Sequence, residues 1–339
     1  MRFHCAIVLA LAGACGCTAD PVTIDLSESP GALPQIKGGY DDSDDTGVMA
    51  ITSFSGGSLC SGSLIAPNVI LSARHCVSGT STGQTVACQA TVFDAVGSPG
   101  SFFVSSATEI TAGNAGEFFV EEIVPLGGIP GIPGSVEDDA EFCGNDMVVL
   151  ILEENVPASV AVPYEPLLDG PLEAGLDYYA VGYGAVNGGG EDAGKRRRLD
   201  DLTVQCDGES ACLELELEGV ADGEWSGNGG VCSGDSGGPA LDLDDRVVGV
   251  TSRGDQPCEV SVYANPSAHA QWLRDTAVYA SGMGLYEAPA WTDGADVDPE
   301  FAMPVGEVCE AGDDCPTGIC VKEKDAQYCS RPCSDEGPC

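Results

Sequence analysis

Short apolar runs, each bounded by glycine, proline, asparagine or aspartate, recur through the middle of this chain. Ser63-Leu64-Ile65, Asn68-Val69-Ile70-Leu71-Ser72, Met147-Val148-Val149-Leu150-Ile151-Leu152 and Val247-Val248-Gly249-Val250 have the length of strands rather than helices. Leu213-Glu214-Leu215-Glu216-Leu217-Glu218 alternates strictly, which is the period of a half-buried strand. Toward the end the period lengthens. Pro266-Ser267 can open a helix, and Ala270, Leu273 and Ala277 recur at helical spacing. The pattern predicts an all-β domain over residues 36–286, built as barrels or a sandwich and closed by one helix.

Composition agrees and adds the flanks. The 46 glycines and 21 prolines fit many turns between short strands. Met1-Arg2, the apolar run Ala6 to Ala12 and small residues through Cys17 read as an export signal over 1–17. No other stretch approaches ~18 apolar residues without a charge, so no membrane-spanning helix is expected. Residues 18–35, with Pro21, Pro30 and Pro34, read as a pro-segment or tether, and 287–305 as an extended linker. Residues 306–339 carry Cys309, Cys315, Cys320, Cys329, Cys333 and Cys339. A segment so short cannot bury much core and is expected to be a disulfide-held module. It has no histidine, which weighs against zinc. The residues around Cys15 and Cys17 also resemble the lipid-attachment box of bacterial lipoproteins. Free secretion and a lipid anchor at the cell surface or periplasm therefore stand side by side.

Charge narrows the partners. With 13 Lys and Arg against 54 Asp and Glu, the net charge is −41, and nucleic acid is excluded as an expected partner. Lys195-Arg196-Arg197-Arg198 is the one basic run, read as a solvated loop or a nicking site. The acidic runs 41–45 and 242–245 lack a spaced calcium loop, and no metal or organic cofactor is expected.

The chemistry centres on Gly234-Asp235-Ser236-Gly237-Gly238-Pro239. A nucleophilic serine needs a glycine-rich turn that exposes its hydroxyl and aims backbone N–H groups at one point, where they hold the oxyanion of acyl transfer. Here those donors would be Gly234 and Ser236. The hydroxyl needs a base. The chain has three histidines. His4 lies in the signal and His269 on the expected helix, which leaves His75, just after an apolar strand. The base needs a carboxylate to hold its tautomer, and Asp146, at the mouth of the strand 147–152, is the acid best placed for burial.

The order His75, Asp146, Ser236, within Cys60-Ser61-Gly62-Ser63-Leu64-Ile65, Ser72-Ala73-Arg74-His75-Cys76, Asn145-Asp146 and Cys232-Ser233-Gly234-Asp235-Ser236-Gly237-Gly238-Pro239, resembles the trypsin/chymotrypsin family of serine peptidases. The resemblance covers residues 36 to about 286. It implies two six-stranded antiparallel β-barrels (chymotrypsin-like), with the triad in the cleft between them. It implies disulfides Cys60–Cys76 and Cys232–Cys258. It gives Ser252 the role of supporting the catalytic aspartate and binding substrate backbone. Gly230 stands at the pocket floor where trypsin-like enzymes carry an aspartate, with Gly254 and Ser261 at the walls, which implies a neutral pocket for an apolar side chain. Ile36 stands where the family's new N-terminus inserts to pair with Asp235, which implies a zymogen.

Four positions depart from the pattern. Lys37 replaces a usual small apolar residue, and Gln35 precedes the cut, so an activator cutting after Lys or Arg is not indicated. Arg74 replaces a usual alanine. Arg253 replaces a usual aromatic residue, and either favours acidic substrate residues or lies at the surface. The 71 residues from His75 to Asp146 are read as carrying an extra loop around 94–140, with Cys88 and Cys143 as candidates to pair across it. Cys206 and Cys212 are candidates for a small local loop. The expectation is a monomeric, exported, bacterial endopeptidase acting on protein or peptide substrates. Its rival is a catalytically silent protease fold whose cysteine-rich tail mediates attachment.

Overall fold

Strands β1 (Val48–Ser53), β2 (Leu59–Ala66), β3 (Val69–Ser72), β4 (Phe102–Ser105), β5 (Phe118–Pro125) and β6 (Val148–Leu152) close into a barrel in the order β5-β6-β3-β2-β1-β4. The computed structural model describes residues 39–296 apart from 55–58, 84, 112, 133, 137–139, 171, 185–192, 232–233 and 255–259, together with 24–25, 320–323 and 326–329. The expected signal, tether and most of the linker and tail lie outside those residues.

Period explains the first barrel. In β5 the side chains of Phe118, Val120, Glu122 and Val124 turn inward while Phe119 and Glu121 face solvent. β6 is buried along its whole length and is correspondingly an unbroken apolar run, Val-Val-Leu-Ile-Leu. Its pairing of Val148 with Ser72 of β3 brings the chain leaving β3 toward the residue that precedes β6. That register sets His75 opposite Asp146.

The second barrel uses β7 (Asp177–Gly182), β8 (Arg197–Asp207), β9 (Glu224–Gly227), β10 (Pro239–Asp242), β11 (Arg246–Gly254) and β12 (Ser261–Ala264). Their order is β11-β10-β7-β8-β9-β12, and the β11–β12 pairing closes it. Trp225 fills the centre, stacked on Tyr263 at 4.2 Å and met edge-on by Tyr178 at 5.1 Å. Its indole N–H donates to the Val248 carbonyl at 2.9 Å, so the one polar atom of that ring is satisfied. Gly249 leaves the room: a Cβ there would come within 2.5 Å of the Trp225 ring.

The expected helix is present. Asn265 accepts the Ser267 N–H as its cap, a 3₁₀ turn covers Pro266–His269, and the main helix runs Ala270–Gly284. Leu273, Ala277 and Ala280 are buried against the first barrel, and Asn68 ties that barrel to the Ala280 carbonyl at 3.1 Å.

Three expectations need correction. Leu213 to Glu218 is not a strand. A short helix, Glu209–Glu214, ends inside it, and Leu213 and Leu215 are exposed. The disulfide Cys206–Cys212, with six residues of separation, forces a tight reversal there, and leucine and glutamate favour helix intrinsically. The stretch 94–140 is not wholly an inserted loop, since β4 and β5 are two walls of the first barrel. The basic run is not a solvated loop. Arg196 and Arg197 are 1% and 6% exposed, and the run opens β8 against Tyr40–Asp41. Arg196 pairs with Asp42 at 2.9 Å and Arg198 with Asp45 at 3.2 Å, so the acidic run 41–45 covers the basic one.

Candidate active site

His75 lies in a 3₁₀ turn, Arg74–Cys76, that follows β3. Arg74, unexpected there, is 1% exposed and places its guanidinium 4.4 Å from the centre of the Phe93 ring, a cation–π contact. The Cys60–Cys76 disulfide, with a Cα separation of 6.1 Å, fastens the turn to β2. Cys88–Cys143 and Cys206–Cys212 are also closed. Cys232 and Cys258 fall outside the described residues.

Asp146 is fully buried and accepts three hydrogen bonds. Its Oδ1 takes the His75 backbone N–H at 2.9 Å, and its Oδ2 takes His75 Nδ1 at 2.7 Å and the Ser252 hydroxyl at 2.6 Å. Burial by itself opposes ionisation, but the facing His75 ring and the donors from His75 and Ser252 outweigh it. The Asp146 carboxyl is therefore held below the usual carboxylate range. An ionised carboxylate only accepts, so His75 keeps its proton on Nδ1 and leaves Nε2 to take one.

Ser236 is placed through its backbone. Its carbonyl accepts from Ser61 N–H at 2.8 Å and lies 3.6 Å from the sulfur of Cys76, the neighbour of His75. The turn around it is held on both flanks. Gly237 N–H donates to the Thr251 carbonyl at 2.8 Å, and Gly238 N–H to Asp235 at 2.8 Å. Gly234 and Gly237 have φ of +96° and +79°, a region that L side chains avoid. A Cβ on Gly237 would also run into the Ser72 hydroxyl. Ser61, which the sequence reading passed over, braces this turn: its hydroxyl takes the Tyr183 N–H at 2.9 Å and donates to the Gly234 carbonyl at 3.2 Å. Its position between Cys60 and Gly62 was the available signal.

Asp235 is 0% exposed and its Oδ1 accepts the Gly184 N–H at 2.9 Å. Any side chain on Gly182 or Gly184 would collide with that carboxylate. Ile36 lies outside the described residues. The expected pocket residues are brought together: Gly254 pairs with Ser261 across β11 and β12, and a Cβ on Gly254 would meet the carbonyl of Val231, next to Gly230. Gly230 has φ +100° and its missing side chain would point into Leu199.

Arg253 is the clearest miss. It neither lies at the surface nor faces substrate. Its side chain is 0% exposed and paired with Glu224, which is equally buried. The partner Glu224 stands in Val220-Ala221-Asp222-Gly223-Glu224-Trp225, where nothing in the sequence separates it from its neighbour Asp222. His269 precedes the helix; burial pushes its imidazole pKa down, opposed by the Gly144 carbonyl, which fits a packing role.

Two closed barrels that bring a serine turn, a histidine and a buried aspartate to one edge define the double-barrel serine peptidase class. The family model for trypsin matches residues 36–273. A trypsin of Saccharopolyspora erythraea is 27% identical over 237 residues, 67% of this chain and 91% of that protein. Human kallikrein-2 is 27% identical over 145 residues, 40% of this chain, and the match spans 54% of its own length. The solved structure of neuropsin, a serine protease expressed in the limbic system of mouse brain, superposes with TM-score 0.52 at 19% identity, covering 71% of this chain and 99% of its own. The chain belongs to the trypsin family. No helix among the described residues is long and apolar enough to cross a membrane.

Proposed function

We propose that this chain is an exported serine endopeptidase that hydrolyses peptide bonds through an acyl-enzyme. Ser236 attacks the scissile carbonyl while His75 Nε2 takes its proton. Asp146, ionised and held by Ser252, keeps the imidazole in the tautomer that can do so. The Gly234 and Ser236 N–H groups hold the oxyanion. The imidazolium then gives its proton to the departing amine, and water repeats the cycle on the ester.

The observation that carries this reading is the unbroken hydrogen-bonded chain Ser252–Asp146–His75 in a chain of the trypsin family. The neutral floor at Gly230 favours cleavage after apolar side chains, because an uncharged pocket cannot stabilise a buried lysine or arginine. Activation is proposed to follow cleavage before Ile36, whose free α-amine would pair with the buried, glycine-walled carboxylate of Asp235. Export ends in free secretion or a lipid anchor at Cys17.

A peptide library tests the reading. The mature protein should cleave after apolar residues in preference to arginine, and Ser236→Ala should abolish cleavage. Full hydrolysis by Ser236→Ala would overturn the mechanism, and no hydrolysis by the mature protein would favour a silent binding scaffold. Dominant cleavage after arginine would overturn the pocket assignment alone. N-terminal sequencing of active material should begin at Ile36. An active form that begins upstream, together with an Asp235→Asn variant of undiminished rate, would overturn the activation step.

A further inference from the structure

The side chains of Arg253 and Glu224 are each 0% exposed and form a two-pronged ion pair, with Nη1 giving Oε1 at 2.7 Å and Nη2 giving Oε2 at 2.6 Å. Such a pair is a poor source of stability, because taking two charges out of water costs as much as their attraction returns. Its other bonds show what it holds. Glu224 Oε1 accepts the Gly144 N–H at 2.8 Å, and Oε2 accepts the Ala221 N–H at 2.9 Å. Gly144 opens the turn from which Asp146 projects; its φ is +81°, and a Cβ there would come within 2.9 Å of the Asp222 carbonyl. On the other side, Arg253 Nη1 donates to the Ser252 hydroxyl at 3.2 Å, and Nη2 donates to the Gly219 carbonyl at 2.6 Å.

The hydroxyl of Ser252 has one proton. With the guanidinium donating to its oxygen, that proton is left for Asp146 Oδ2, 2.6 Å away. The ion pair thus reaches Asp146 by two routes, through the Ser252 hydroxyl and through the backbone at Gly144. Phe142 closes the gap, with its ring 5.7 Å from the Arg253 guanidinium and stacked 5.9 Å from the His75 ring.

We propose that Arg253 and Glu224 are positioning residues for this reaction: together they fix Ser252 as a donor and set the turn that aims Asp146 at His75. The inference rests on the triad reading above. Arg253→Lys keeps the charge, but an ammonium cannot reproduce the planar fork that serves Glu224, Gly219 and Ser252 together. The double variant Arg253→Met/Glu224→Met removes both charges and fills the space with apolar atoms, a replacement that is often neutral or stabilising.

The test measures kcat, KM and thermal unfolding of the mature enzyme, these two variants and Ser236→Ala, on one peptide substrate. A folded Arg253→Lys should lose roughly ten-fold or more in kcat with KM within about two-fold, the pattern of an interaction that acts on the transition state. The double variant should unfold near the parent's temperature and still show the lowered kcat. Parental kcat in either folded variant, or a raised KM at unchanged kcat, overturns the inference. If the double variant does not fold, Arg253→Lys decides by the same two outcomes. Hydrolysis that persists in Ser236→Ala would instead overturn the triad reading, so the two failures are told apart.

Discussion

At the residue scale, Asp146 is a fully buried carboxylate on which the proposed reaction depends. Its three donors hold it ionised, so its folded pKa lies below its unfolded one. The stability it contributes is present above the unfolded aspartate value, ~3.9, and is lost as pH falls through the lower folded value. The unfolding free energy of the native protein should therefore exceed that of Asp146→Asn most at neutral pH. In urea melts that margin should shrink as pH drops below ~4; a margin constant down to the most acid pH would contradict the assigned environment. The same substitution should cut kcat by about 10⁴-fold, since an amide stabilises the wrong imidazole tautomer. Gly230 gives a second test. Gly230→Asp, the obvious route to cleavage after arginine, meets φ +100° and the Leu199 side chain. It should cost about 1–3 kcal/mol and fail to redirect specificity unless Leu199 is also shortened. A stable single variant that prefers arginine would refute that geometry. The residues proposed as the triad could be picked out because glycine spacing, scarce histidines and an acid at a strand mouth each constrain the choice. Arg253 could not, because whether a side chain in a barrel strand turns in or out depends on a partner 29 residues away.

At the element scale, the strands whose apolar runs are buried on both faces were readable, as β6 and β11 show. The Leu-Glu alternation misled because its period came without a sheet partner, and a six-residue disulfide loop decided the backbone instead. The charged segments misled in the opposite sense. Each looks solvated alone, and burial follows only when Tyr40–Asp41 pairs with β8 and lays one run over the other. Arg196 and Asp42 have side chains 1% and 4% exposed. Asp42→Ala leaves a guanidinium buried without its counter-ion and should cost about 3–5 kcal/mol in denaturant unfolding. Lys195→Ala, which breaks an exposed pair with Asp41, should leave stability nearly unchanged. Equal losses in the two variants would mean that the runs do not interlock as described.

At the scale of the whole molecule, a net charge of −41 makes the folded state repel itself. Raising salt from low concentration to about 0.15 M shortens the Debye length to about 8 Å and screens that repulsion, while the buried pairs are screened far less. The melting temperature should rise over that range, and a fall would mean that attractive surface pairs dominate. The proposed site draws on both barrels, with His75 and Asp146 from the first and Ser236 and Ser252 from the second. The most direct measurement of that account is the position of the covalent adduct formed by a fluorophosphonate. Peptide mapping by mass spectrometry should find it on Ser236, with labelling abolished in Ser236→Ala and slowed in His75→Ala. An adduct on another serine, or labelling at the parental rate in Ser236→Ala, would contradict it.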